Sequence, residues 1–342
     1  MPFNNPLIQR FPALTLRPAA LGQWPTPIER LPLAEGLWCK REDQSGSLYG
    51  GNKVRKLRWI LPEVPEGATL LSMGAAGSNH LVACGVYCRE AGIPLESVLV
   101  PQPETAHVRA NLRRIHGLSR RCWPAKSDAG AAMAIAQALR ANHQEGRPVY
   151  PVWIGGSTPL GCLGWVEGAL EIAAQVEAGV MPSPTDLFVA AGSGGTSAGL
   201  LLGLTMAGLD CRVHAVRVTA KWFSGKHVIL AMARRAAALL RRHGARAPAP
   251  DARRLQVHAE VFAPGYGRGN PPTEAALREA ADVGLTLEGT YTGKALAACL
   301  SDVREGRVGP SVLFIDTVSS IAPEPPLDAL PPKVERLLQR LR

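Results

Sequence analysis

The chain has 342 residues, enough for one large domain or two modest ones around a substantial core. Apolar residues make up 46% and charged residues 19%, which excludes a disordered chain. The net charge is +10, but the basic residues are spread along the sequence rather than gathered as a nucleic-acid face requires.

In chain order, the N-terminus Met1-Pro2-Phe3-Asn4-Asn5 has no basic segment leading into an apolar core, so no signal peptide is expected. A Gly50-Gly51 turn opens a helical pattern at Lys53, with Leu57, Ile60 and Leu61 on one side. Leu70–Met73 reads as a strand, followed by a glycine-rich turn and a helix over Asn79–Ala91. Leu95–Val100 reads as a strand and Ala106–Gly117 as a helix. Pro148–Ile154 is a strand, then a glycine turn leads to a helix over Leu163–Glu177. Leu187–Ala191 is a strand that enters a glycine loop and another helix. Val213–Val218 and Val312–Asp316 are further strands, and Pro331–Arg342 reads as a short amphipathic helix. Such alternation predicts parallel sheets with right-handed crossovers, an α/β fold. Ala245–Pro250, rich in Ala and Pro, is the clearest exposed loop.

Three features are read as structural. The basic run Arg234, Arg235, Arg241, Arg242, His243 and Arg246 lies in an Ala/Leu helical pattern without aromatic residues, as a solvated helix face does. His80, Cys84 and Cys88 share a helical face but read as packed side chains rather than metal ligands, and no metal is expected. Seven cysteines without a CxxC pair argue for a reducing, cytoplasmic setting. The uncharged stretch Leu187–Leu209 is long enough to span a bilayer, but its glycine cluster favours strand, loop and core helix, so no membrane partner is expected.

Chemistry concentrates at three glycine-linked sites. Lys53 sits at a helix start, where the dipole and the neighbouring Arg55 and Lys56 oppose its charge; imine chemistry needs such a lysine. In Gly74-Ala75-Ala76-Gly77-Ser78-Asn79-His80, small residues let backbone approach a ring, and Ser78 and Asn79 offer polar groups or a plain helix cap. Gly192-Ser193-Gly194-Gly195-Thr196 forms an anion cradle at a helix N-terminus. It lacks the Gly-Lys-Ser/Thr of a Walker loop, and Ser197 replaces the last glycine of a dinucleotide fingerprint, so a monophosphate is the natural ligand.

Together these segments resemble the 1-aminocyclopropane-1-carboxylate (ACC) deaminase / D-cysteine desulfhydrase family of fold-type-II pyridoxal 5′-phosphate enzymes. The likeness runs through Lys40-Arg41-Glu42-Asp43, Gly50–Leu57, Ser78-Asn79-His80, Gly155-Gly156-Ser157-Thr158-Pro159-Leu160-Gly161, Gly192–Thr196, Pro264-Gly265-Tyr266-Gly267 and Tyr291-Thr292-Gly293-Lys294. It implies two open, twisted, mostly parallel-sheet domains with the cofactor in the cleft: a large one of residues 1–55 plus 164–342 and a small one of 56–163. It also implies a homodimer and a small amino-acid substrate.

By the same resemblance Lys53 would carry the cofactor as a Schiff base and shuttle the α-proton. Lys56 and Gly192, Ser193, Gly194, Gly195 and Thr196 would hold the phosphate, and Asn79 the ring 3′-oxygen. Ser78, Asn79, His80, Gly156, Tyr266 and Tyr291 would meet the substrate, with Ser78, Tyr266 and Tyr291 as proton carriers; a cationic cofactor nearby would ease proton loss or donation by the tyrosines.

Thr292 follows Tyr291, where the family places the partner of the pyridine nitrogen and ACC deaminases carry glutamate. A hydroxyl there leaves the nitrogen mostly neutral, which suits β-elimination of a good leaving group. His80, where ACC deaminases have glutamine, points the same way. The expected activity is therefore α,β-elimination with deamination, D-cysteine being the first candidate. ACC deaminase and a pyridoxal-phosphate-binding protein with little turnover are the alternatives. Two departures bear on substrate fit: Asp316–Ala322 replaces the usual His-Thr-Gly-Gly-x-Pro, keeping only Thr317, and Trp165 stands where relatives often have tyrosine.

Overall fold

The computed structural model describes residues 5–323 and 329–339. By contact the chain divides into two units, Met1–Trp59 with Ser157–Ile321, and Ile60–Gly156 with Ala322–Arg342.

The first unit holds a six-stranded sheet in the order Ile28–Arg30, Leu37–Arg41, Val312–Asp316, Asp186–Ala191, Arg212–Arg217, Leu255–His258. The first strand is antiparallel to its neighbour and all other pairs are parallel. The central strands Val312–Asp316 and Asp186–Ala191 are buried along their length and apolar except at Asp316 and Asp186, because both faces are covered. Leu313 and Ile315 point into one core, with Pro159–Glu177, Gly195–Ala207 and Lys226–Arg242. Val312 and Phe314 alternate onto the other, under Pro271–Asp282 and Thr292–Arg304. Gly199 and Gly203 let Gly195–Ala207 press against Pro159–Glu177: a Cβ at Gly199 would lie 2.4 Å from the Cys162 carbonyl oxygen, and one at Gly203 2.6 Å from Ala169 Cβ. No helix among the described residues is long and apolar enough to cross a membrane.

The second unit holds a four-stranded parallel sheet, Arg121–Pro124, Leu95–Val100, Thr69–Ala75, Val149–Val152. Asn79–Glu90 and Ala106–Leu118 pack together, and Asp128–Gln144 lies against the strands Leu95–Val100 and Arg121–Pro124.

Two sequence expectations need correction. The C-terminal segment is not one helix: Pro332–Glu335 is a single turn, and Leu338–Gln339 then pairs with Gln102–Pro103. Residues 340–342 of that expected helix, and Met1–Asn4 of the N-terminal reading, lie outside the described residues. The strand pair and the Arg114 Nε bond to the Pro323 carbonyl join the C-terminal segment to the second unit. The Ala245–Pro250 loop is only partly exposed, since Ala245 and Ala247 are buried in the core. Arg234, Arg235, Arg241, Arg242 and Arg246 are exposed, as a solvated face requires.

Candidate active site

The Lys53–Ile60 helix of the first unit begins at the lysine expected to react. Lys53 Nζ donates to Asn52 Oδ1 at 2.8 Å, and Asn52 Nδ2 reaches Thr196 Oγ1 at 3.2 Å. This chain of two bonds ties the lysine to the glycine loop. Trp165, fully buried, donates from Nε1 to the Asn52 carbonyl at 3.2 Å, so tryptophan here fixes the residue that orients Lys53.

Arg55 does not press on Lys53's charge as the sequence suggests. It is fully buried and turned away, forming two bonds to Glu42 (2.7 Å each) and two to Glu171 (2.8 and 3.2 Å), with its guanidinium 4.0 Å above the Trp24 ring. Two carboxylates neutralise it, and the network anchors the helix that carries Lys53.

The anion cradle is built around Ser157. Its hydroxyl oxygen accepts from Gly195 N at 3.1 Å and from Lys56 Nζ at 3.2 Å, and lies 2.7 Å from Ser193 Oγ. With two donors already aimed at it, Ser157 must donate its own proton to Ser193. Burial lowers the Lys56 pKa to about 8. A Cβ at Gly195 would lie 2.4 Å from Ser157 Oγ and 3.0 Å from Lys56 Nζ, so only glycine keeps this cradle open. The loop follows the strand Asp186–Ala191 and starts the helix Gly195–Ala207, the carboxyl edge where open α/β sheets bind ligands.

Tyr266 and Tyr291 meet at their hydroxyls, 2.6 Å apart, with rings edge to face. Desolvation pushes the Tyr266 phenol up to about 12 and Tyr291 well above its ordinary value, with the Glu288 charge adding to both. The protein alone therefore holds both phenols protonated. Thr292, also buried, is committed to Glu288: its Oγ1 accepts from Glu288 N at 2.9 Å and lies 3.3 Å from Glu288 O. The Glu288 carboxylate in turn accepts from the amides of Thr290, Tyr291 and Thr292 and caps the Thr292–Arg304 helix.

The divergent Asp316–Ala322 segment supports the turn before Lys53. Asn52 N donates to the Thr317 carbonyl at 3.2 Å, and Gly50 N to Ser319 Oγ at 2.7 Å. Ser320 bonds the Asp43 carbonyl through both its amide and its hydroxyl. Asp316 is fully buried, and burial first, then Asp43 and Glu288, raises its carboxyl well above the usual range.

In the second unit Ser78 caps the Asn79–Glu90 helix, its Oγ accepting from Leu81 N at 3.3 Å. Asn79 Oδ1 accepts from Asn111 Nδ2 at 2.7 Å and lies 3.0 Å from His107 Nε2. Buried His80 places Nε2 3.0 Å from Ser72 Oγ, which donates to the Val152 carbonyl. That bonding fixes the orientation of the His80 ring. Cys84 and Cys88 are buried on the same helix, and burial lifts the Cys88 thiol to about 12. Gly156 is buried with a left-handed φ of 62° and closes a turn onto the Trp153 carbonyl. Asn52, Ser157 and Glu288 were not assigned roles from sequence; the signal was their place inside or beside the glycine and Tyr-Thr motifs.

A buried ammonium, two serine hydroxyls and a helix N-terminus at a sheet's carboxyl edge define an α/β protein that holds a monophosphate, with an amine tethered to the same loop. The chain belongs to the pyridoxal-phosphate dependent enzymes: the model of that family matches residues 19–318. It is similar, at 34% identity over 93% of this chain and 96% of the relative, to a D-cysteine desulfhydrase of Salmonella paratyphi B. It is 31% identical, over 91% of this chain and 93% of the relative, to a Pyrococcus horikoshii protein provisionally named a 1-aminocyclopropane-1-carboxylate deaminase. A crystal structure of an ACC deaminase homologue superposes with a TM-score of 0.76 at 30% identity, covering 97% of this chain and 98% of that one. Pyridoxal phosphate is thus the cofactor, and the fold is that of its relatives with two mostly parallel sheets. The cradle fits its phosphate, because the glycine at 195 leaves room that a Cβ would fill and Lys56 supplies a buried cation.

Proposed function

We propose that this enzyme catalyses α,β-elimination with deamination of a small amino acid bearing a leaving group on Cβ, D-cysteine being the first candidate. D-Cysteine and water would give pyruvate, ammonia and hydrogen sulfide. The observation that carries this reading is Thr292. Its hydroxyl is bound to Glu288 backbone, and the Glu288 carboxylate is turned into the helix amides, so the position after Tyr291 presents no ionised side chain.

When bound, pyridoxal phosphate supplies a carbonyl for the amine and an electron sink for the α-carbon. Lys53, oriented by Asn52, would join that carbonyl and take the α-proton. Lys56, Ser157, Ser193 and the Gly195 amide would hold the phosphate. The neutral Tyr266–Tyr291 pair would protonate the departing sulfur. Ser78 would donate its hydroxyl to the substrate carboxylate, and Asn79 its amide N–H to the ring oxygen, as the family resemblance suggests. The uncharged Thr292 side chain would suit elimination, because there the leaving group departs with the electron pair.

Ring opening of ACC is the second reading, favoured by the likeness to the Pyrococcus horikoshii protein. A Thr292→Glu variant separates the two. It is expected to lose pyruvate formation from cysteine and to gain 2-oxobutyrate from ACC; an unchanged product ratio would remove Thr292 from the argument.

A further inference from the structure

On the face of the first unit's sheet that the Thr292–Arg304 helix covers, four residues far apart in sequence come together. Asp186 is the first residue of its strand, His214 the third of the next, His258 the last of the edge strand, and Asp302 lies near the end of the Thr292–Arg304 helix. His214 Nε2 is 2.7 Å from Asp186 Oδ1, and His258 Nδ1 is 2.7 Å from Glu260 Oε1. Asp186 also accepts from Arg212 and from the Gly309 amide, and Glu260 accepts from the Ala259 amide. Ionised carboxylates only accept, so each histidine must donate its outer N–H.

That fixes both tautomers. The inner nitrogens, His214 Nδ1 and His258 Nε2, then face each other at 2.8 Å as two lone pairs. Two lone pairs at that distance repel unless a cation or a shared proton lies with them. Asp302 Oδ2 completes a triangle, 3.9 Å from His214 Nδ1 and 3.7 Å from His258 Nε2. These distances are too long for hydrogen bonds. A triangle with these three sides has a centre about 2.0 Å from every corner, the length of zinc–nitrogen and zinc–oxygen bonds. Asp302 is aimed by Arg307, which binds its other oxygen, Oδ1, at 2.6 and 2.8 Å. His214 is held flat by Phe188, stacked at 4.2 Å. Carboxylate-backed imidazoles are the outer-sphere arrangement that metal-binding histidines use.

We propose that His214, His258 and Asp302 form a structural site for a divalent cation of the zinc class, backed by Asp186 and Glu260. The ion ties the edge strand Leu255–His258 to the neighbouring strand and to the Thr292–Arg304 helix. Nothing in this site depends on the elimination reading.

The test uses the full-length, cofactor-loaded protein. After chelation and removal of the chelator, it is dialysed against buffered micromolar zinc and its metal content is measured. One tightly held equivalent is expected, with a rise in Tm. His258→Gln and Asp302→Asn should lose that equivalent and the rise while keeping the circular dichroism and cofactor absorbance of wild type. Glu260→Gln should bind about tenfold more weakly. Cobalt should give ligand-field bands without sulfur-to-metal charge transfer, which separates this site from the cysteines. No retained zinc, equal retention in all variants, or a thiolate band would overturn the proposal, leaving a proton shared by the two imidazoles.

Discussion

Replacing Glu171 by glutamine keeps the shape of a buried network but removes one of its two negative charges. Lys40 Nζ lies 2.5 Å from Glu171 and Arg55 2.8 Å, both cations being fully buried. In the Glu171→Gln variant the two cations would share Glu42 alone. Breaking a buried ion network in this way costs about 3–5 kcal/mol. The Glu171 pKa gives a similar figure. Burial raises it, but Arg55 and Lys40 outweigh burial and bring it from 4.5 down to about 2, or about 3 kcal/mol at 1.36 per unit. Lys40 moves against this: burial first, and then Arg55, lower its pKa despite Glu171, so the pair itself contributes less than Glu171 alone implies.

Urea unfolding of Glu171→Gln should therefore show a loss of about 3 kcal/mol at pH 7, and a melting midpoint lower by on the order of 10 °C. A carboxyl with a depressed folded pKa stabilises fully above its unfolded value, and the effect fades as pH falls from 4.5 towards 2. The gap between wild type and variant should close over that window. Adding Lys40→Met removes one uncompensated cation and should recover part of the loss. A variant within about 0.5 kcal/mol of wild type, or no recovery in the double variant, would refute the reasoning.

Lys56→Met should weaken cofactor binding about 10–100-fold, the value of a charged hydrogen bond of about 1.5–3 kcal/mol, read by absorbance titration. In the apoenzyme, phosphate binding should weaken as pH rises through about 8, where Lys56 loses its proton. Gly195→Ala puts a Cβ 2.4 Å from Ser157 Oγ and should reduce cofactor affinity at least tenfold without unfolding the chain; near-normal affinity would move the phosphate elsewhere. Asp316→Asn has the opposite pH sign to Glu171. Its carboxyl is raised, so the stability it contributes is full below 3.8 and is lost as pH rises through the folded value. The variant should melt higher than wild type at pH 8 and equally at pH 4.

The strands were legible where both faces are buried. Leu95–Val100 and Val312–Asp316 occur at the residues their apolar runs predict. Ile28–Arg30 and Leu37–Arg41 are too short and mixed to show a period, and exist because their neighbours pair with them. The Pro159–Glu177 helix starts four residues before its expected position, since Thr158 caps it and Pro159 is favoured at its first turn. The C-terminal helix failed because pairing with Gln102–Pro103 outweighed an amphipathic pattern. At the site, Lys53 and the glycine loop stood out because glycine turns mark backbone approach. Ser157 and Asn52 gain their roles only by tertiary contact, and the His214 group is drawn from distant stretches of the chain with no local spacing to reveal it.

The most direct test of the proposed chemistry is a keto-acid assay on the cofactor-loaded enzyme with D-cysteine, L-cysteine and ACC in parallel. Pyruvate with equimolar sulfide is expected from D-cysteine, abolished in Lys53→Ala, with little 2-oxobutyrate from ACC. Faster 2-oxobutyrate formation from ACC than pyruvate formation from either cysteine would contradict the elimination reading.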